Sequence, residues 1–157
     1  MNIDVRDYQI NDARYIASLF IDTIRNINIR DYTPEQINAW IHGVENWDLE
    51  KWKKSFLNKM VFVAEENTQL IGFGELESNG HIDRFYVHKD YIGRGVGRKI
   101  YQEIEAKAIA LGMEKLFVEA SLTARPFFEK MDFSLVRKQI VIRNDVELAN
   151  FVMIKQL

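Results

Sequence analysis

The run Ile92-Gly93-Arg94-Gly95-Val96-Gly97-Arg98 is the part of the sequence best suited to hold a charged ligand. It follows an apolar strand pattern and opens a helical one. The first turn of a helix carries unpaired N–H groups and the positive end of the helix dipole. Glycines let the main chain approach a phosphate closely and adopt angles that other residues avoid. With Arg94 and Arg98 beside them, Gly93, Gly95 and Gly97 suggest a cradle for a pyrophosphate. The same spacing also suits a plain turn that lets the helix pack close to a sheet. Two other phosphate loops are excluded. A Walker loop needs Lys-Ser/Thr after its last glycine, where this chain has Arg98-Lys99-Ile100. A dinucleotide fingerprint needs Gly-x-Gly-x-x-Gly, and the last spacing here is one residue too short.

The elements around this loop follow from periodicity. A short strand over 3–7 precedes a helix capped by Asn11 or Asp12, with Ile16, Leu19, Phe20, Thr23 and Ile24 on one stripe. Thr33-Pro34-Glu35-Gln36 is a capping box with proline in the first turn, and it starts a helix ending at Gly43. Asp48 caps a third helix carrying Leu49, Trp52 and Phe56. Strands over 61–65 and 70–76 flank a turn at 66–69, and Asn79-Gly80 leads into a strand over 81–87. After the glycine loop come a long helix to Gly112, a strand over 116–120, a short helix over 125–131, and a hairpin of 133–142 with 148–155. The order predicts one α/β domain over 1–157 with a mixed sheet, a β-meander and a C-terminal β-hairpin.

Composition removes several classes of function. There is no cysteine, which excludes disulfides, cysteine-based zinc sites and a thiol nucleophile, and the three histidines lack metal-ligand spacing. Basic and acidic residues number 21 and 23, so the footprint of a general nucleic-acid binder is missing. No stretch approaches the ~20 apolar residues of a membrane span, and Met1 to Asp7 has no signal-peptide core. The expectation is a cytoplasmic protein without metal, nucleic acid or membrane partner.

Two segments together resemble the GNAT acetyltransferases. Residues 82–97, Ile-Asp-Arg-Phe-Tyr-Val-His-Lys-Asp-Tyr-Ile-Gly-Arg-Gly-Val-Gly, are similar to that family's motif of an apolar strand, a short turn and Gln/Arg-x-x-Gly-x-Gly/Ala. Residues 124–133, Ala-Arg-Pro-Phe-Phe-Glu-Lys-Met-Asp-Phe, resemble its later Ala-x-x-Phe-Tyr-Glu-Lys-x-Gly-Phe. Asp31 to Trp40 and Glu119 to Ala124 resemble the bacterial YafP-like branch. Three positions depart from the pattern: Ile92 for Gln/Arg, Phe128 for tyrosine and Asp132 for glycine.

The resemblance implies a GNAT-like fold and acetyl transfer from acetyl-CoA straight to a primary amine of a small molecule or peptide, releasing CoA. It implies cofactor contacts at Phe85, Tyr86 and Val87, a pyrophosphate held by Ile92, Gly93, Arg94, Gly95, Val96, Gly97 and Arg98, and packing by Phe127 and Phe128. The Val87 N–H becomes the expected oxyanion donor. Strand alternation would put His81, Asp83, Phe85 and Val87 on one face. Asp83 is then the first choice for general base or amine anchor, and Glu75, on an open face of the neighbouring strand, the second. Ser121 stands where the family often has asparagine, to hold the cofactor or pass a proton to the thiolate, or it caps the next helix. Tyr32 and Trp47, with His81, are the expected acceptor contacts, and Trp40 and Trp52 the expected core. A homodimer is compatible with the family. A CoA-binding protein without turnover is the alternative, because the phenyl ring of Phe128 has no proton to give.

Overall fold

The computed structural model describes residues 2–157. Its strands are β1 (Asp4–Asp7), β2 (Met60–Glu66), β3 (Gln69–Leu76), β4 (His81–Val87), β5 (Lys115–Ser121), β6 (Ser134–Arg143) and β7 (Val146–Gln156). They form one seven-stranded sheet in the order β1-β2-β3-β4-β5-β7-β6. Only β4 and β5 run parallel; the other pairs are antiparallel. The helices are α1 (Ala13–Asn26), α2 (Pro34–His42), α3 (Leu49–Ser55), α4 (Val96–Ala110) and α5 (Arg125–Lys130).

Local chemistry sets most boundaries. Thr33 and Gln36 form the expected capping box of α2: the Gln36 N–H donates to Thr33 Oγ1 at 3.1 Å and the Thr33 N–H to Gln36 Oε1 at 2.9 Å. The Lys51 N–H donates to Asp48 Oδ1 at 2.8 Å and opens α3. Asp12 precedes α1 but does not cap it. Its carboxylate instead takes two 2.9 Å bonds from Arg6 and one of 2.7 Å from the Gln9 N–H. Asn67 and Thr68, with φ of 49° and 67°, make the two-residue turn between β2 and β3.

The sheet separates two cores. On one face α4 and α5 cover Ile71, Ile82, Leu116, Val118 and Met153. On the other, α1, α2 and α3 cover Val61, Val63, Phe73 and Leu148. At the centre the chain needs glycine at Gly80 (φ +91°), where a Cβ would lie 2.3 Å from the Lys115 carbonyl oxygen. That close approach starts β4 and β5 side by side, and the Phe117 N–H donates to the Gly80 carbonyl at 3.0 Å. The two strands stay in register only at His81–Phe117 and Ile82–Val118. Beyond that they separate, while β5 pairs with β7 from Lys115 to Ser121.

Candidate active site

The separation of β4 from β5 opens a cleft of about 870 Å³ that reaches both faces of the sheet. Tyr91 to Gly93, Gly95 to Arg98, Phe127 and Phe128 line it on the α4 side. Phe20, Thr23, Asn28, Tyr32 and Trp40 line it on the α1–α2 side.

On the α4 side, Gly95 (φ +84°) is the residue before the first helical turn, and Gly93 (φ +78°) is also left-handed. No atom comes within 4 Å of a Cβ built on either, so the main chain there is open to a ligand. The Lys99 N–H is the first in α4 to find a helical acceptor, the Gly95 carbonyl at 3.2 Å, so the donors before it are available. The guanidinium of Arg94 stands over the Tyr91 ring at 5.2 Å. Phe85 packs on Phe127 and Phe128, with centroids 5.2 and 5.6 Å away. Phe128 is 1% exposed. Val96 is buried, while Ile92 is 45% exposed, so that side chain reaches the cleft rim and not a core.

Main-chain groups of β4 face the gap. The His88 N–H donates to the Ile71 carbonyl in β3 at 2.8 Å. N–H groups alternate sides along a strand, so that of Val87 points away from β3 and into the cleft. The Val87 carbonyl, on the same side, accepts the Thr23 hydroxyl at 2.9 Å.

Alternation breaks inside β4. Gly74 faces Phe85 and Leu76 faces Ile82, so β4 carries one residue more than β3 over this stretch. The bulge separates residues that strict alternation would align. Ile82, Phe85 and Val87 face α4. His81 instead stacks on Phe117 at 4.9 Å, on the opposite face from Leu116 and Val118. Tyr86 turns its ring towards α1, edge-on to Phe20 at 4.8 Å, away from the glycine loop. Burial pushes the Tyr86 phenol up.

The expected carboxylates differ in setting. Glu75 is not on an open face. It is 0% exposed and does not line the cleft. It accepts the Arg84 N–H at 3.0 Å, Nε at 2.7 Å and Nη2 at 2.6 Å, with Lys59 Nζ 3.5 Å away. Arg84 in turn stacks on Trp52 and Phe56 and donates to Ser55 Oγ. This is a structural ion pair, created by the bulge that aims Arg84 at Glu75. Asp83 does line the cleft, but Lys59 Nζ holds it at 2.6 Å.

Other expected residues move as well. Trp47 lies outside this cleft, edge-on to Trp52 at 5.2 Å with Lys51 over its ring. Trp40, expected in the core, lines the cleft and meets Tyr32 edge-on at 5.3 Å. Tyr32 is 6% exposed, and both valences of its hydroxyl are used: it donates to the Ala149 carbonyl at 2.7 Å and accepts the Leu122 N–H at 2.9 Å. Burial raises its pKa, partly opposed by the bond from Leu122. Ser121 lines the cleft and accepts the Ala124 N–H at 3.0 Å, the turn-capping role.

Three groups stand in the cleft that the sequence did not single out. Thr123 Oγ1 and Asn150 Oδ1 are buried and lack a partner among the described residues. Glu119, on β5, holds His81 Nε2 at 2.5 Å. A polar residue between Val118 and Ala120 in an otherwise apolar strand was its available signal. His81 Nδ1 also pairs with Glu77. Burial opposes the imidazolium, but the bonds to Glu77 and Glu119 outweigh it and raise the His81 pKa. No group of three or more His, Cys, Asp or Glu among the described residues is arranged to hold a metal. No helix described is long and apolar enough to cross a membrane.

The parted parallel strands, the glycine loop at a helix start and the flanking hairpin define an acyl-transferase architecture. Residues 28–155 match the family model described as the acetyltransferase (GNAT) domain, and the chain belongs to that family. It is an N-acetyltransferase by class. It is 33% identical to the uncharacterized N-acetyltransferase YafP of Escherichia coli K12 over 153 residues, which is 97% of this chain and 95% of that protein. A GCN5-related N-acetyltransferase from Rhodopseudomonas palustris superposes with a TM-score of 0.93 at 32% identity, covering 100% of this chain and 97% of the other. The PaiA N-acetyltransferase of Thermoplasma acidophilum, solved with coenzyme A, shares the fold at TM-score 0.76 and 21% identity over the full length of both chains.

Proposed function

We propose that this protein transfers the acetyl group of acetyl-CoA directly to a primary amine of a small molecule or peptide. The observation that carries the reading is the conjunction, in one cleft, of the parted β4 and β5 strands with the open N-terminus of α4. Acetyl-CoA supplies an activated thioester. The N–H groups around Gly95 to Arg98, with the Arg98 side chain, suit its pyrophosphate, while Arg94 stays over Tyr91 outside the cleft lining. Phe85 and Phe127 offer an apolar wall to the pantetheine arm. Thr123 Oγ1 and Asn150 Oδ1 are polar atoms awaiting a partner in the same cleft. The Val87 N–H, fixed through its own carbonyl by Thr23, suits the developing oxyanion. The sequence has no cysteine to carry the acetyl group, which agrees with direct attack. An alkyl ammonium has a pKa of about 10, so a cleft residue must take its proton before attack.

Thermal unfolding with acetyl-CoA, CoA or NAD tests the reading. A ligand at ~100 times its Kd stabilises by about 2.7 kcal/mol, which for a domain of this size is roughly 5–10 °C. Shifts with acetyl-CoA and CoA, none with NAD, and thiol release in an amine screen are expected. A shift without thiol release from any amine would favour the second reading, a CoA-binding protein without turnover, for which Phe128 speaks. No shift with either thioester or thiol would overturn both.

A further inference from the structure

We infer that Glu119 is the carboxylate that takes the proton from the acceptor amine, and that His81, held between Glu119 and Glu77, positions it. The inference rests on the acetyltransferase reading above and names the base that it lacks. Glu75 is sealed beneath Arg84, outside the cleft. Asp83 faces the cleft but is neutralised by Lys59 at 2.6 Å. Glu119 faces the cleft and has no Lys or Arg partner among the described residues; its ion-pair partner is His81, itself titratable. The Glu119 side chain is 41% exposed, so its free oxygen is accessible to a ligand.

Glu119, His81 and Glu77 form a line. Glu119 and His81 line the cleft, whereas Glu77, just past the end of β3, does not. His81 Nε2 faces Glu119 and Nδ1 faces Glu77. An ammonium proton moves to the free oxygen of Glu119. The imidazolium keeps both its protons, donating Nε2–H to the other oxygen of Glu119 and Nδ1–H to Glu77, and the exposed Glu119 carboxyl releases the captured proton to solvent. One proton leaves the amine, one reaches solvent, and each group returns to its starting state. Stacking on Phe117 keeps the ring in the plane that serves both carboxylates. The charged groups facing the ring are Glu77 beyond β3, Asp83 of β4 and Glu119 of β5. Lys59 is engaged by Asp83 and Glu75, and Arg84 by Glu75.

The test uses the full chain, acetyl-CoA and propylamine as a small probe acceptor, with two further measurements that need no turnover. Glu119→Gln should keep the acetyl-CoA melting shift, lose about 10²-fold or more in kcat, and lose the acidic limb of its pH–rate profile. His81→Gln should leave the amine KM near its original value, lower kcat and move the acidic limb to higher pH, because the cation beside the carboxylate is gone. Asp83→Asn should stay within a few-fold of the unmodified protein. By NMR, the His81 ring should titrate above an ordinary histidine and fall back in Glu119→Gln. A Glu119→Gln variant with the original rate and acidic limb would overturn the inference. If propylamine gives no thiol release, the His81 titration decides, and a ring unmoved by Glu119→Gln overturns it. Absence of an acetyl-CoA melting shift in the unmodified protein would instead count against the enzyme reading.

Discussion

Replacing Glu75 with glutamine separates a structural carboxylate from a chemical one. The side chain is 0% exposed and receives three hydrogen bonds from Arg84, whose own side chain is 13% exposed. Glutamine keeps the shape but removes the charge and turns one acceptor oxygen into a donor. That donor would face Arg84 or Lys59, both donors themselves. Breaking one side of a buried ion pair costs about 3–5 kcal/mol, because the partner charge stays buried. At roughly 2–4 °C per kcal/mol for a domain of this size, Glu75→Gln should melt about 6–20 °C lower. Urea unfolding should show the same loss in midpoint with little change in slope. Replacing both partners, Glu75→Leu with Arg84→Met, should recover most of the loss, since no charge is then stranded. A Glu75→Gln protein within about 1 kcal/mol of the original stability, with a collapsed rate of acetyl transfer, would refute the structural assignment. It would return Glu75 to the list of bases.

Gly95→Glu puts a side chain at φ +84° and a carboxylate where phosphates are expected to bind; a stability loss of about 1–2 kcal/mol should accompany disappearance of the acetyl-CoA melting shift, and a retained shift would remove the glycine loop from binding. Phe128→Tyr should fold and speed thiol release, because Phe128 lines the cleft; a loss above about 2 kcal/mol would mean that the hydroxyl is buried among Phe85, Phe127 and Phe133 without a partner. His81 has a raised pKa in the folded protein, so its contribution is complete below about pH 6.5 and fades as pH climbs through the folded-state value. The stability gap between the protein and His81→Gln, followed by denaturant midpoints, should therefore narrow on going alkaline, and a constant gap would deny the coupling.

Much of the fold was legible because its signals are local. The Thr33–Gln36 box, the Asp48 cap, the turn at Asn67 and Thr68 and the strand–glycine–helix passage each lie within a few residues of chain. What escaped depends on distant partners. The bulge in β4 is a mismatch between two strands, and neither strand contains a marker for it. It moves His81 to the face opposite Phe85, where alternation had aligned them. Glu75 read as an exposed carboxylate because its partner, Arg84, sits on the next strand. Asp12 read as a cap, yet Arg6 in β1 draws its carboxylate away. Trp40 reads as core because helical spacing gives a stripe without saying which end of it borders a gap.

The two-pair seam between β4 and β5 also has a mechanical side. Four strands of the sheet come from residues 4–87 and three from 115–156, and in the sheet the two groups are tied only at His81–Phe117 and Ile82–Val118. A plate joined along so short a line bends there more easily than anywhere else. The angle between the halves therefore sets the width of the cleft. α4 lies against β3 beside the seam, and Tyr32 pins α2 to the far half through Leu122 and Ala149. Gln36 Nε2 adds a bond to the Glu147 carbonyl at 2.9 Å, so α2, and not the sheet, bridges the jaws.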